Sequence, residues 1–231
     1  MSPVTHFFAG WVLACASPVA LTRREKALVV AAAVAPDFDG LGAIPELLTR
    51  NSAHPLLWFS EYHHALHTLA FALVCTIAAF LVARPWGKRS VLDDGSGPST
   101  EQRSSPGRLA PQRHRWTTAL LVFISFHLHL LCDLVGARGP DGYQWPIPYL
   151  KPFSSVAQLT WHGQWMLNGW QNFVITALLL VTTLWITWKF QTSPVELLSK
   201  TANREITRTL RQRFPWNANQ AHAKRARSRK S

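Results

Sequence analysis

The chain has 231 residues, of which 48% are apolar and only 16% are charged, and its formal net charge is +12. Soluble domains carry about 25% charged residues, and here the charges stand in blocks between long apolar runs, which argues against a soluble domain and for a membrane protein. The basic blocks flank the apolar segments, as topology-setting cytoplasmic charge does, so nucleic-acid binding is disfavoured.

Two short apolar arms open the chain, Phe7 to Leu21 and Ala27 to Ala35, on either side of a charged turn. Each arm is shorter than the roughly 20 apolar residues that cross a bilayer. We therefore predict a helical hairpin packed against other helices. Its turn, with Arg23 and Arg24, should face the cytoplasm and its ends should face outward.

Three further segments are long enough to be spans, and each has a Trp at or just beyond an end, where indole prefers the headgroup region. They are Ala65 to Ala83, Trp116 to Val135 and Trp170 to Trp188. The predicted fold class is an all-α integral membrane helix bundle of about four helices, multi-pass, with a disordered polar loop and a basic C-terminal tail.

The polar segments divide the chain into four parts. Residues 1–83 hold the hairpin and a membrane helix, and residues 84–115 form a predicted disordered loop rich in Gly, Ser, Pro and Arg. Residues 116–190 hold two membrane helices, and 191–231 form a basic tail. Of the 24 Lys and Arg, seven lie between Arg84 and Arg115 and eleven lie from Lys189 onward, so the loop and the tail are expected in the cytoplasm.

The tail contains a predicted basic amphipathic helix from Pro194 to Phe214. Such a helix can lie on an anionic leaflet, so the expected partners of the tail are anionic lipid or a cytoplasmic partner. The same orientation places segments 36–64 and 136–169, which carry few basic residues, at the outer face.

Histidine and aspartate cluster at the outer ends of these segments. A carboxylate at a helix centre costs roughly 2.5–3.5 kcal/mol in a membrane, so Asp133 needs a partner, and His129 lies one helical turn before it on the same face. His127 points elsewhere. The other candidates are His6, Asp37, Asp39, His63, His64 and His67.

The chemistry of these side chains indicates a divalent metal. Imidazole and carboxylate suit zinc, or manganese or iron when more oxygen donors are present. No cysteine has a matching spacing, which excludes a cysteine-rich structural zinc site. A catalytic ion keeps a position for water and lowers its pKa toward about 7. Taken singly, each residue is more simply a hydrogen-bonded core or turn residue, and it is their joint placement at one face that favours a metal site.

The order of these motifs resembles the YdjM-like family over roughly residues 1 to 190. The motifs that carry the resemblance are His6, Pro36-Asp37-Phe38-Asp39, His64-x-x-His67-Thr68, His129-x-x-x-Asp133, and Gly142 with Trp145-Pro146-Ile147-Pro148. Members are bacterial inner-membrane proteins described as metal-dependent hydrolases and also labelled LexA-binding. His64 stands where the family has Arg, so its role stays open between metal ligand and another polar function. The resemblance does not cover the polar loop or the tail.

The sequence is also, more faintly, similar to zinc-dependent phospholipase C and related nucleases, which implies a phosphoester substrate. A second His-x-x-x-Glu pair is missing and only His162 remains downstream, so a three-metal site is not expected. The outer loop from Gly136 to Gly169 is either an interfacial aromatic loop or a lid over the site. As a lid, it would contact substrate through Asp141, Trp145 and His162.

The resulting hypothesis is a membrane-bound metal-dependent hydrolase that acts on a small-molecule phosphoester or a lipid-like substrate at the outer face. The expected metal ligands are His6, Asp37, His67, His129 and Asp133, and the expected catalytic residues are Asp39 and His64. The alternatives are a non-enzymatic membrane scaffold with a partner-binding tail and a polar-path transporter component.

Overall fold

The structure is a computed structural model that describes residues 1–58, 60, 64–83, 111–139, 142–156 and 158–215. Within these ranges the chain is helical, and extended backbone is limited to two isolated β-bridges. The predicted all-α class is confirmed. The helices are α1 (Pro3–Cys15), α2 (Arg23–Val34), α3 (Ala43–Thr49), α4 (Leu69–Val82), α5 (Pro111–Gly136), α6 (Trp170–Phe190) and α7 (Lys200–Arg213), with 3-10 segments at Ala35–Gly42 and Pro194–Leu197.

The N-terminal arms form the predicted hairpin of α1 and α2. The Ser2 hydroxyl caps α1, and Thr22 and Glu25 form a capping box at the start of α2. The two helices approach closely at Gly10, where an added Cβ would stand 2.6 Å from the Cβ of Ala33. A glycine is needed there because any side chain would push the helices apart.

After Val34 the chain continues as a tighter helix into α3. Pro36 has no N–H to donate to the preceding turn, so the α-helical pattern cannot continue through it. The helical stretch Arg23–Thr49 is nevertheless 27 residues long and apolar enough to cross a membrane.

Two of the predicted spans are confirmed as long apolar helices. The stretches His114–Gly136 and Trp170–Phe190 contain 23 and 21 residues, which correspond to about 34 and 31 Å and match the roughly 30 Å hydrocarbon layer. Helix α5 begins at Pro111, so residues 111–115, which were predicted to belong to the disordered loop, are helical. The Arg115 side chain donates to the Phe80 carbonyl at 3.1 Å, which anchors this first turn to α4. Residues 84–110 of the predicted loop lie outside the described residues.

The remaining predicted span, Ala65 to Ala83, is shorter than expected. Helix α4 has only 14 residues, about 21 Å, because Thr68 is its extended N-cap and His64 has a positive φ of 78°. Three helical stretches of the described chain are long enough to cross a membrane, so the predicted count of about four is not confirmed, although α1 and α4 are also apolar.

The outer faces of the helices are apolar and exposed. Val74 and Leu81 of α4 and Phe173 and Val181 of α6 each expose between 59% and 69% of their surface. Apolar faces of this extent, on helices that satisfy their own backbone hydrogen bonds, suit contact with lipid. The packed interior runs between α2, α4 and α5, around residues such as Val122 and Phe126.

The predicted amphipathic helix of the tail is present as α7, over Lys200–Arg213. It folds back on the end of α6, since the Trp188 indole donates to the Phe214 carbonyl at 2.6 Å and Arg211 donates to the Trp188 carbonyl at 3.2 Å. Arg23 of α2 binds the Leu197 carbonyl at 2.8 Å. Residues 216–231 of the predicted tail lie outside the described part of the chain.

The helices alternate in direction, which gives the bundle two distinct ends. One end, which we call the histidine end, contains His6, His67 and His129. The other, the tail end, contains Arg23 at the start of α2 and Ala83 after α4, together with the 3-10 segment Pro194–Leu197 and the start of α7.

Candidate metal centre

Helix α5 supplies the predicted pair of His129 and Asp133, whose Nε2 and Oδ2 atoms are 3.1 Å apart. The other ring nitrogen of His129 donates to the Ala33 carbonyl at 2.8 Å. Ala33 lies in the last turn of α2, where carbonyls lack intrahelical partners and can accept from outside. One turn earlier, the Ser125 hydroxyl donates to the Val29 carbonyl at 2.8 Å, so two successive turns of α5 are fixed on α2.

Helix α1 brings His6 to the opposite side of the same carboxylate. Its Nε2 is 3.1 Å from Asp133 Oδ1, and its ring centroid is 3.8 Å from that of His129. The amino group of Met1 also contacts Asp133 Oδ1. Asp133 is therefore surrounded by donors and is buried, with 5% of its surface exposed.

The 3-10 segment after α2 adds Asp37. Its Oδ1 is 3.9 Å from His129 Nε2, and one ligand atom from each of His6, Asp37, His129 and Asp133 lies within 4.8 Å of the others. Two ligands bound at about 2.0–2.1 Å to a tetrahedral zinc are about 3.3 Å apart. The His6–Asp133 and His129–Asp133 separations, 3.1 Å each, are of that size, and the other separations reach at most 4.8 Å, so this cluster could hold a metal ion.

His67 lies beside this group, immediately before the N-cap of α4. Its Nε2 is 3.2 Å from His129 Nε2 and 3.4 Å from Asp133 Oδ2. Its Nδ1 donates to Asp39 Oδ2 at 3.2 Å, and the same oxygen accepts from the Leu66 amide at 3.2 Å. Asp39 therefore holds the imidazole of His67 from behind.

The hydrogen bonds of His67 and His129 fix where their lone pairs point. Each Nδ1 faces an atom that can only accept, a carboxylate in one case and a carbonyl in the other, so each Nδ1 carries the proton. The two Nε2 lone pairs then face each other at 3.2 Å, with Asp133 beside them. This arrangement of three electron-rich atoms requires a positive charge between them.

The pKa of His67 agrees with this need for a positive charge. Burial lowers its pKa, but hydrogen bonds to Asp133 and Asp39 outweigh burial and raise the pKa to about 9. An empty centre therefore takes up a proton at neutral pH. A metal ion would have to displace this proton, as it does at other imidazole sites.

One carboxylate oxygen of the cluster also lacks a hydrogen-bond partner. Asp37 Oδ2 is buried and has no hydrogen-bond partner among the residues that the structure describes. A buried carboxylate oxygen without a partner costs about 1–3 kcal/mol or more, and a cation or its bound water would remove that cost. The donor set present therefore fits a divalent ion.

His64 is buried beside His67 rather than inside the four-residue group. The ring centroids of His64 and His67 are 4.5 Å apart, and Trp145 lies 5.4 Å from His64 on its other side. Its positive φ of 78° is unusual for a residue other than glycine and costs roughly 1–2 kcal/mol. This backbone conformation forms the turn that directs His67 toward Asp133.

Of the three outer-loop residues that were predicted to contact substrate, one lies at the site. Trp145 packs on His64 as described, whereas His162 is exposed and Asp141 lies outside the described residues. The loop contains a contact that sequence spacing does not reveal, since Gln164 donates to the Asp133 main-chain carbonyl at 2.8 Å. Asn172 likewise donates to the Gly136 carbonyl at 2.8 Å and so ties α6 to the end of α5.

His127 turns away from the cluster, as its position two residues from His129 predicts. Its Nδ1 is 2.8 Å from the Phe123 carbonyl and its Nε2 is 2.8 Å from the Tyr149 hydroxyl. His127 is thus a half-buried histidine of the same helix whose two ring nitrogens both make hydrogen bonds away from the cluster.

Comparison with known proteins agrees with the motif order. Neither a curated protein nor a solved structure matches the chain. The family described as YdjM inner membrane protein matches residues 1–195, which include every helix from α1 to α6 and all residues of the cluster. Together with the long apolar helices, this match shows that the chain is a membrane protein and belongs to the YdjM inner membrane protein family.

Proposed function

We propose that this protein is a multi-pass inner-membrane hydrolase that uses a divalent metal ion at its histidine end. The observation that supports this most strongly is the pair of imidazole lone pairs, on His67 and His129, that face each other beside the Asp133 carboxylate. A neutral histidine pair would share a proton through complementary tautomers. Here the outer hydrogen bonds leave both Nε2 atoms unprotonated in the neutral pair, so the pair needs either an added proton or a metal ion.

The ligands of the ion would be His6, Asp37, His67, His129 and Asp133. Three imidazoles with two carboxylates suit zinc, and manganese or iron are the alternatives. When bound, such an ion polarises a substrate oxygen and lowers the pKa of a bound water so that it can act as a nucleophile.

The remaining polar atoms have separate tasks in this proposal. Asp37 Oδ2, which is buried and unsatisfied among the described residues, can accept a proton from the attacking water. Asp39 was expected to be catalytic, but its Oδ2 is already engaged by His67 and the Leu66 amide. We therefore assign it as a positioning residue that sets the tautomer of His67. His64 supports His67 and faces the outer loop through Trp145.

The faint similarity to zinc-dependent phospholipase C supports a phosphoester substrate, and the apolar surroundings of the centre support a lipid-like one. The centre lies at the end of apolar helices, beside a loop that contains Trp145, Trp161 and Trp165. The positive-inside distribution of Lys and Arg supports an orientation with this end at the outer face and the tail in the cytoplasm. There the tail would meet anionic lipid or a cytoplasmic partner.

The first test is the metal content of the full-length chain purified in detergent. We expect about one equivalent of zinc per chain in the wild type and in His127→Ala, and almost none in His129→Ala. The two variants remove the same side chain from the same helix, so they separate loss of a ligand from loss of a hydrogen-bonded histidine. Equal metal content in both variants would refute the proposed centre.

The second test is hydrolysis. Wild-type protein, metal-stripped protein and protein reloaded with zinc, manganese or iron are compared on bis(p-nitrophenyl) phosphate and on phospholipids in mixed micelles. Activity that disappears on stripping, returns with one metal and is absent in His129→Ala supports the proposal. A centre that binds metal but supports no turnover on either substrate class would leave a metal-binding scaffold and overturn the hydrolase assignment.

A further inference from the structure

The tail end of the bundle contains a cavity that the proposed hydrolase does not use. It has a volume of about 820 Å³ and lies between the α1–α2 connection, the start of α2, the end of α4 and the start of α7. The first turns of two long helices, α2 and α7, both contribute to its wall, and each brings the partial positive charge of a helix N-terminus.

Four cationic side chains line this cavity, namely Arg23, Arg24, Lys200 and Arg204. Arg23 donates to the main-chain carbonyls of Leu197 and Leu198, each at 2.8 Å. The other three make no ion pair or hydrogen bond with any side chain in the part of the chain that the structure describes, and they are exposed. Their charge therefore remains available to a ligand.

The two carboxylates in the cavity wall do not cancel the four cations, because four positive and two negative side chains leave a formal charge of +2. Both carboxylates also make other contacts. Glu25 accepts from the Thr22 amide at 2.7 Å in the capping box of α2. Glu196 accepts from Lys26 at 2.9 Å and is also bound by the Thr192 hydroxyl. The cavity is therefore positively charged.

One wall of the cavity is apolar. Leu21, Leu28 and Val82 contribute to it, and Val82 is 59% exposed at the last turn of α4. This is the level at which the apolar helices end, since α6 finishes nearby at Phe190 with Lys189 and Trp188. Tryptophan and lysine at a helix end mark the headgroup layer of a membrane.

We propose that this cavity binds the headgroup of an anionic phospholipid. The phosphate would lie against Arg24, Lys200 and Arg204, and the first part of an acyl chain would follow Leu28 and Val82 toward the bilayer. Basic pockets between membrane helices on the cytoplasmic side have the chemistry that such headgroups require. The apolar wall and the position at the helix ends favour a lipid over free phosphate. The contribution of α7 lies beyond residues 1–195, so part of this site comes from outside the matched family region.

The test measures lipid binding by the full-length chain in detergent. The chain is titrated with phosphatidylglycerol or phosphatidylcholine, and native mass spectrometry detects the bound lipid. We expect one phosphatidylglycerol to bind with at least tenfold preference over phosphatidylcholine. Because each basic residue contributes about 1 kcal/mol to such binding, Arg24→Gln combined with Lys200→Gln should weaken the affinity roughly 30-fold. The matched control, Arg208→Gln with Arg213→Gln, removes the same charge from the far part of α7 and should change the affinity less than threefold.

Competition with inorganic phosphate and glycerol phosphate distinguishes the two sources of the anionic group. Neither should displace the lipid at tenfold excess if the acyl chain contributes as proposed. Displacement by phosphate alone, equal binding of phosphatidylcholine, or an equal loss of affinity in the pocket and control variants would each overturn the proposal.

A second measurement needs no variant. In bilayer nanodiscs of phosphatidylglycerol, Lys200 should be acetylated at least threefold more slowly than in nanodiscs of phosphatidylcholine, while Lys189 at the end of α6 serves as the internal reference. Equal protection of both lysines would indicate general attraction of the tail to a charged surface and would refute a discrete site.

Discussion

The charged side chains at the histidine end are buried and paired, whereas several of those at the tail end are exposed and, within the part of the chain that the structure describes, unpaired. At the histidine end, Asp133 is surrounded by His6, His67, His129 and the Met1 amino group, all buried. At the tail end, Arg24 and Lys200 are exposed and make no ion pair within the described residues. Charge close to the hydrocarbon is costly unless it is paired, whereas charge at the headgroup level can remain unpaired and attract anions. If both proposals hold, the same bundle binds a buried cation at one end and recruits an anionic lipid at the other.

Among the substitutions, the largest effect on metal binding is expected from removing the central carboxylate. Asp133→Asn keeps the size of the side chain but loses the negative charge that three imidazoles share, so metal affinity should fall by roughly 100-fold or more, beyond the 10–100-fold typical of a supporting residue. Glu196→Gln is the matched change at the tail end and should leave metal content unaltered. Metal analysis of both proteins decides the matter, and comparable losses would show that the two ends are not independent.

A smaller effect is expected from Asp39→Asn, which leaves every proposed ligand in place. An amide can present its own N–H to His67 Nδ1 and favour the wrong tautomer, so metal affinity should fall by about 10- to 100-fold. Competition with a fluorescent chelator gives the affinity, and Arg24→Gln at the tail end is the control. An unchanged affinity in Asp39→Asn would show that Asp39 does not position His67.

The two ends should also differ in their response to pH. The pKa of His67 is raised to about 9 in the empty centre, so the metal must displace one proton below that value. The apparent affinity should therefore rise about tenfold per pH unit between pH 6 and 9 and then level off. Phosphatidylglycerol binding at the tail end depends on arginine and lysine charges, which ordinarily persist over this range, and it should change little. Metal binding that does not vary with pH would contradict the protonated state of the empty centre.

The last prediction concerns stability rather than binding, and it tests the close contact between α1 and α2. Gly10→Ala would place a methyl group 2.6 Å from the Cβ of Ala33, so the helices must separate at a cost of about 1–3 kcal/mol. Thermal unfolding in detergent, followed by tryptophan fluorescence, should show a lower midpoint. Gly40→Ala is the control, because a Cβ there has no neighbour within 4 Å among the described residues. Equal midpoints for the two variants would show that the packing at Gly10 is not limiting.

Residue order alone determined a large part of this architecture. The lengths of apolar runs predicted α5 and α6, the charged turn at Arg23 predicted the hairpin, and the four-residue spacing predicted that His129 and Asp133 share a face. These features depend on local periodicity and on the transfer of side chains from water to hydrocarbon, which are properties of short stretches of sequence.

Only the tertiary structure decided which of these residues meet. It placed Asp39 behind His67, gave the Ala33 carbonyl to His129, shortened α4 at Thr68, and brought Arg24 and Lys200 to one cavity. Each of these contacts, other than the helix cap, joins stretches that are far apart in sequence. They arise from how the helices pack, and local patterns carry no information about that packing.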